Sequence, residues 1–287
     1  MTLLVTGASG HLGRLIVESL LDRGVPASEI RAGARDTSKL ADLADRGVVA
    51  VRVDYDDAAS VADAVAGADR VVLVSGSEVG RRVAQHTTVI DAAARAGVQQ
   101  LVYTSAPRAT TSALLLAPEH KATEEAIAAS GVPATILRNN WYTENYLSTL
   151  AEARETGIVT SSTGAGRVAS ASRRDFAEAA AVVMTEDGHE GRVYELGGDE
   201  AWDFAELARA IGEVLGREVR YMAQTPEEQT AALTAAGLDA GTVGFIVGLD
   251  GNIRDGLLGE VTGELSRLIG RPTTPLVETL RAGARRG

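Results

Sequence analysis

Thr6-Gly7-Ala8-Ser9-Gly10-His11-Leu12-Gly13 decides the fold. The stretch follows a short apolar run, Leu3-Leu4-Val5-Thr6. It opens an amphipathic segment from His11 to Arg23 whose apolar positions Leu12, Leu15, Ile16 and Leu20 recur at helical spacing. A glycine triplet between a strand and a helix is the setting in which it binds a dinucleotide. Gly7 makes the tight turn, Gly10 lets the backbone approach a pyrophosphate, and Gly13 lets the helix pack close to the strand. The helix N-terminus then offers unpaired N–H groups and the positive end of its dipole to the phosphates. The alternative is a glycine-rich turn that binds nothing. A phosphate loop of the Gly-Lys-Ser/Thr kind is excluded, since that tripeptide occurs nowhere.

Outward from this motif, short apolar strands alternate with amphipathic helices. Strands are expected at 30–34, 48–53, 71–74, 101–104 and 134–137, and helices at 37–46, 58–66, 79–96 and 121–130. Gly24 and Pro26 end the first helix, and Gly97 ends the long one. Alternation of this kind, with strands apolar on both faces, predicts an α/β protein with a doubly wound parallel sheet, the Rossmann arrangement. After residue 140 the rhythm changes. Isolated strands are expected at 157–160, 167–170, 193–197 and 219–222, with a helix marked by Phe204, Leu207, Ala208, Ile211 and Leu215. The stretch 238–263 is glycine-rich and weakly patterned. The expected organisation is a nucleotide-binding domain over 1–140 and a smaller C-terminal α/β lobe over 141–287, partly interleaved with the first.

The 287 residues carry a net charge of −11, with a pI of about 4.9. Such a surface repels phosphate backbones and anionic lipid heads, so neither nucleic acid nor a membrane is the expected partner. Cysteine is absent, which excludes disulfides, thiolate nucleophiles, iron–sulfur clusters and cysteine-based zinc sites. The four histidines are scattered, and no metal site is expected. No apolar run approaches the roughly 18 residues that span a bilayer, and no signal peptide is visible, so a cytoplasmic location is expected.

Specificity for the nucleotide is usually set just past strand two. Arg35 comes first there and can fork onto a 2′-phosphate, with Lys39 one helical turn on. This favours NADPH; the rival reading gives Asp36 to the ribose. Asp54-Tyr55 is a candidate contact to the adenine. Ser75-Gly76-Ser77 follows strand four, where a cofactor ribose would pass.

Ordinary carbonyl reduction by a short-chain dehydrogenase uses a Tyr-x-x-x-Lys pair as proton relay. None of the six tyrosines has lysine four residues later, and position 117, four before Lys121, is alanine. An acceptor that spreads the incoming charge, such as a quinone or a cationic dye, escapes that requirement. A nucleotide-binding sensor without chemistry escapes it too.

The GxxGxxG spacing resembles the short-chain dehydrogenase superfamily in its extended and atypical branches. With Val25-Pro-Ala-Ser28, Ser75 to Gly80, Tyr103-Thr-Ser105, Arg138 to Tyr146, Gly188 to Gly191 and Leu268-Ile-Gly270, the chain resembles the NmrA-like atypical members. Among these it is similar to the bacterial flavin-free NADPH:quinone oxidoreductases. The resemblance implies a Rossmann fold and NADPH held by Gly7, Ala8, Ser9, Gly10, His11, Leu12 and Gly13. It adds Arg35, Ser75, Gly76, Ser77, Arg138, Asn139, Asn140, Trp141, Tyr142, Thr143 and Arg167 to the cofactor contacts. It also implies a quinone lying over the nicotinamide. Asn140 stands where glycine is expected, and Lys121 where an apolar residue is common. A non-catalytic redox regulator of the NmrA-like type and a reductase of dyes are the alternatives.

No residue is singled out as certainly catalytic. Asn140 and Tyr142 are candidate donors to the acceptor oxygen, with Trp141 and Tyr142 as a wall for a flat ring. The alternative there is a core aromatic cluster with an asparagine cap. His120 is a candidate proton source and Ser105 a candidate substrate hydroxyl. The expected partner is one small flat acceptor, and the chain is compatible with a homo-oligomer. Replacing Arg35 by alanine is expected to raise the dissociation constant for NADPH far more than that for NADH, as measured by titration calorimetry. An equal effect on both would remove Arg35 from the 2′-phosphate.

Overall fold

The computed structural model describes residues 1–285. In chain order its elements begin with β1 (Leu3–Val5), α1 (His11–Asp22), β2 (Ile30–Ala34), α2 (Ala41–Ala44) and β3 (Val49–Arg52). There follow α3 (Ala58–Val65), β4 (Arg70–Leu73), α4 (Arg82–Ala96), β5 (Gln100–Ser105), α5 (Ala117–Ser130) and β6 (Ala134–Asn139). Next come α6 (Leu147–Thr156), β7 (Ile158–Ser161), α7 (Arg173–Thr185), β8 (Val193–Leu196), α8 (Phe204–Leu215) and β9 (Arg220–Ala223). The chain closes with α9 (Pro226–Ala235), α10 (Ala240–Arg254), α11 (Glu264–Ile269) and α12 (Leu276–Ala284).

Two compact units emerge. The first comprises Met1–Thr110, Leu116–Asn139 and Arg173–Leu196; the second comprises Thr111–Leu115, Asn140–Ser172 and Gly197–Gly287. The first holds a parallel seven-stranded sheet in the order β3-β2-β1-β4-β5-β6-β8. Strand order reverses between β1 and β4. This doubly wound sheet opens a ligand crevice at the carboxyl ends of those two strands. β1, β4 and β5 are buried along their whole length, which is why Leu3-Leu4-Val5 and Arg70–Leu73 are mostly apolar and β5 carries Leu101, Val102 and Tyr103 in succession rather than alternating. One face is closed by Val61, Val65, Val89, Ile90 and Ile127 against Leu4, Leu73, Leu101 and Tyr103. On α1, Ile16, Val17 and Leu20 are buried, and α7 packs on this helix with Phe176, Ala177, Ala180 and Val183 also buried. The run of alanines leaves room for a close helix pair. β8 returns the chain to the sheet beside β6, with Leu137 opposite Tyr194.

In the second unit, β7 and β9 form a parallel pair, and α8 and α6 pack around α12. Two expectations fail in this unit. Residues 167–170 form no strand, only an isolated bridge between Val168 and Trp202. Their backbone groups go to different segments: Val168 N–H to Trp202, Ala169 N–H to Leu258, and Ala169 carbonyl to Gly198. A ladder needs one continuous neighbour. Conversely, the weakly patterned stretch contains the helix α10. Asp239 caps it by accepting from the N–H groups of Gly241 and Thr242. Its glycines lower the intrinsic preference, and its buried positions are few (Val243, Asp250 and Ile253), so no apolar stripe announced it.

Three boundaries in the first unit also move. α4 starts at Arg82 rather than Val79: Val79 N–H turns back to the Ser77 carbonyl and Gly80 N–H goes to the Glu119 carboxylate, so neither continues a helical ladder. α5 starts at Ala117, with Pro118 in its first turn, where proline is favoured. Residues 37–46 divide into a 3₁₀ turn, Thr37–Leu40, and the short α2.

Candidate active site

The candidate residues fall in both units and are described within each. In the first, Thr6 directly follows β1. Its hydroxyl donates to the Val72 carbonyl (2.9 Å) and accepts from the Val74 N–H (3.1 Å), joining β1 to β4. Gly7 has φ +60° and turns the chain. The loop is then held by Ala8 N–H on the Gly33 carbonyl (2.8 Å) and Gly10 N–H on the Gly7 carbonyl (2.9 Å). Gly10 is the N-cap of α1 and has no side-chain cap, and the first turn has no acidic residue. A Cβ at Gly13 would lie 2.3 Å from the Gly7 carbonyl oxygen, and one at Gly10 would lie 3.2 Å from it. Glycines, exposed backbone at Ser9 to His11 and an uncapped helix end together fit a dinucleotide pyrophosphate.

Past β2, the Asp36 carboxylate caps the 3₁₀ turn, accepting from the Ser38 N–H (3.0 Å) and hydroxyl (2.7 Å). These bonds hold it below the usual carboxylate range. Asp36 is thus engaged, while the Arg35 side chain is 71% exposed, with Nη1 3.2 Å from Glu78 Oε1. Tyr55 is half-buried, and its hydroxyl donates to the Val74 carbonyl (2.9 Å). Burial pushes that hydroxyl far above its ordinary range.

The segment Ser75-Gly76-Ser77 is fastened from below. Ser75 N–H donates to Thr104 Oγ1 (2.9 Å), and Gly76 N–H donates to His86 Nε2 (3.0 Å). Arg82 Nε donates to the Gly76 carbonyl (2.7 Å), and its Nη1 meets Glu119 (2.9 Å). His86 is fully buried. Its Nδ1 lies 3.0 Å from Thr123 Oγ1, whose hydroxyl is donated to the Glu119 carbonyl. The hydrogen therefore sits on Nδ1, leaving Nε2 as acceptor for Gly76. From the sequence His86 reads as structural or solvated; it is structural, and what it fastens was not legible because one histidine inside a helical pattern carries no signal of what faces it.

At the ends of β5 and β6, Ser105 donates to Glu124 Oε1 (2.6 Å). The Arg138 guanidinium is spread over Glu124 (2.6 and 3.0 Å), Glu195 (2.8 Å) and Thr110 (3.1 Å). Both candidate side chains thus brace the loop after β5, where Arg108 N–H also reaches Glu195 (3.0 Å). His120 is buried, with Nδ1 2.7 Å from the Tyr103 hydroxyl. Where a relay tyrosine would stand there is Ala117, buried; Lys121 is half exposed, 3.9 Å from Glu125.

In the second unit, the segment after Asn139 pairs with residues around 171. Thr143 N–H donates to the Ala171 carbonyl and Ala171 N–H to the Trp141 carbonyl. Asn140 is buried; its Nδ2 donates to the Leu258 carbonyl (3.2 Å), and its Oδ1 accepts from the Trp141 N–H (2.7 Å). Trp141 and Tyr142 are half-buried. Tyr146 lies in a core cluster, edge-on to Trp202 (4.9 Å) and Phe204 (5.8 Å). Thr143 Oγ1 lies 2.8 Å from Ser170 Oγ. Arg167 donates to the Ala201 carbonyl and meets Asp203 (3.5 Å) and Glu206 (2.7 Å), the two acids of the α8 capping box. Among the described residues, no group of three or more His, Asp or Glu side chains is placed to hold a metal. Among the described residues, no helix is long and apolar enough to cross a membrane.

Fold and cradle define an NAD(P)H-binding α/β protein. Residues 7–187 match the NAD(P)H-binding family, and the chain belongs to it. It is 44% identical over 276 residues, 96% of each chain, to quinone oxidoreductase 2 of Escherichia coli (strain K12). The crystal structure of the E. coli NADPH-dependent quinone oxidoreductase QOR2 complexed with NADPH superposes with a TM-score of 0.93 at 43% identity, covering 98% of this chain and 99% of that one. Triphenylmethane reductase of Citrobacter sp. superposes with a TM-score of 0.93 at 36% identity, covering 99% and 100%.

Two outcomes follow from this geometry. Gly13→Ala forces a clash with the Gly7 carbonyl, so NADPH binding by calorimetry is expected to weaken at least roughly ten-fold while the circular dichroism spectrum stays folded. Burial, with the Arg82 charge nearby, lowers His86 and His120 to about 3 from the ordinary 6.5. The unfolded chain then takes up protons below pH 6.5 that the folded chain refuses until about pH 3. Stability from these groups is complete above that window and is lost as pH falls through it. Urea midpoints at pH 7, 5 and 4 should fall in that order, and replacing both histidines by glutamine should flatten the trend.

Proposed function

We propose that the chain is an NADPH-dependent quinone reductase of the NmrA-like atypical branch of the short-chain dehydrogenases, acting in the cytoplasm. The observation that carries the reading is the uncapped, glycine-lined start of α1, with Arg35 at the end of β2 and Ala117 where a relay tyrosine would stand. The full-length likeness to an E. coli quinone oxidoreductase supports it. When bound, NADPH supplies a hydride, that is, two electrons and a proton.

The residues do the rest by binding and orientation. The backbone N–H groups of Ser9, His11 and Leu12 receive the pyrophosphate; that of Gly10 is held by the Gly7 carbonyl. Arg35 receives the 2′-phosphate. Ser75 to Ser77, fastened by His86 and Arg82, shape the floor beside the sugar. Asn140 keeps a second amide hydrogen beyond its bond to Leu258 and is the proposed donor to a quinone oxygen. Trp141 and Tyr142 flank the ring. A quinone delocalises the incoming negative charge over its ring and both oxygens, so one or two such bonds suffice, and water supplies the second proton. His120, held neutral, is no acid reservoir near pH 7. Arg138 and Ser105 act through the loop after β5 rather than by touching substrate.

The likeness to a triphenylmethane reductase favours a second acceptor class, cationic dyes, which also disperse charge. Oxidation of NADPH followed at its own absorbance, with and without a small quinone, tests the reading. The expected result is quinone-dependent turnover that is much slower with NADH. Tight cofactor binding with no turnover on a panel of quinones and cationic dyes would instead make the protein a sensor.

A further inference from the structure

The loop between β4 and α4 carries a carboxylate to the residue that selects the nucleotide. Glu78 Oε1 lies 3.2 Å from Arg35 Nη1. Its other oxygen lies 3.1 Å from Arg81 Nη1 and 3.3 Å from Gln85 Nε2. Arg81 in turn reaches Asp56 (2.9 Å). Among the described residues, Glu78 is the one charged partner of Arg35. The neighbouring cation, Arg52, in register with Ala34, is taken by Asp57 (2.6 Å) and Asp54 (3.5 Å). The loop is anchored on either side of Glu78, by the Gly76 bonds at its base and by Gly80 N–H on Glu119 (2.8 Å). Only its tip has a choice of partner.

We propose that Glu78 sets the nucleotide preference by competing with the 2′-phosphate for Arg35, and that Arg81 is the counter-ion that draws Glu78 away. The inference rests on Arg35 as the 2′-phosphate residue. A carboxylate and a phosphate dianion repel each other across one guanidinium. Binding of the phosphate therefore requires Glu78 to give up Arg35, and its bonds to Arg81 and Gln85 keep the loop tip placed when it does. A nucleotide with a bare 2′-hydroxyl needs no such exchange. Glu78 thus lowers the preference for the phosphorylated cofactor, and Arg81 restores it. The pairs are exposed, so each step is worth roughly two- to five-fold and weakens with salt.

Calorimetric titration with two fragments, 2′,5′-ADP and 5′-AMP, tests this without turnover. Glu78→Gln is expected to tighten 2′,5′-ADP roughly two- to five-fold and leave 5′-AMP unchanged. Arg81→Met is expected to weaken 2′,5′-ADP by a similar factor, again without effect on 5′-AMP. In the double variant the Arg81→Met effect should vanish, because the carboxylate it counters is gone. If Arg35→Met leaves the ratio of the two fragments unchanged, the 2′-phosphate assignment itself fails, and the proposal with it. If Arg35→Met collapses the ratio but Glu78→Gln leaves 2′,5′-ADP unchanged or weaker, the assignment stands and the competition is overturned. A persistent Arg81→Met effect in the Glu78→Gln background would likewise overturn it, since Arg81 would then act on the phosphate directly.

Discussion

The reversal of strand order between β1 and β4 is the constraint on which the first unit depends. Helices leave the two strands toward opposite faces, so their carboxyl ends are left uncovered. One hydroxyl holds that opening together. Thr6 donates to Val72 and accepts from Val74, locking the ends of β1 and β4 at the point where the glycine loop begins. Gly13 then packs its backbone against the Gly7 carbonyl at a distance no side chain tolerates, which aims the start of α1 at the opening. The glycine loop owes its function to this placement as much as to its composition.

Around this opening, polar groups are used as fasteners. His86, neutral and buried, accepts from Gly76. Arg82 ties the Gly76 carbonyl to Glu119. Glu124 and Glu195 share Arg138. Each bond satisfies a group that would be costly to bury alone, and each pins a loop following a strand end. Charged residues that sequence analysis assigned to ligand contact turn out to have protein partners of their own: Arg138 in the first unit, Arg167 in the second. Arg35 differs in being largely exposed, with one partly exposed carboxylate, that of Glu78, as its charged partner among the described residues.

Much of the first unit was legible from sequence because its signals are local. β2 matches its expected span, and α1 is one residue shorter. Apolar runs, helical spacing and terminal glycines depend on near neighbours alone. Legibility fell where partners are remote. The segment 167–170 looked like a strand, yet its backbone bonds are divided among residues near 198, 202 and 258. α10 was hidden because its glycines erase the stripe that marks a helix. Tyr146 packs edge-on against Trp202 and Phe204, rings more than fifty positions away that no local pattern links to it.

The order of elements up to residue 140, the cradle for a dinucleotide and the lack of a Tyr-x-x-x-Lys relay were determined by sequence alone. Each is a matter of residue type at short, fixed spacing, where backbone geometry leaves little choice. Tertiary structure alone decided which side chains serve the site and which serve the scaffold. That Arg138 is held by Glu124 and Glu195, that His86 carries Gly76, and that Glu78 sits on Arg35 all depend on contacts between residues brought together by the sheet. Those contacts are set by how strands are ordered and helices packed, and no local pattern encodes which remote group arrives opposite which.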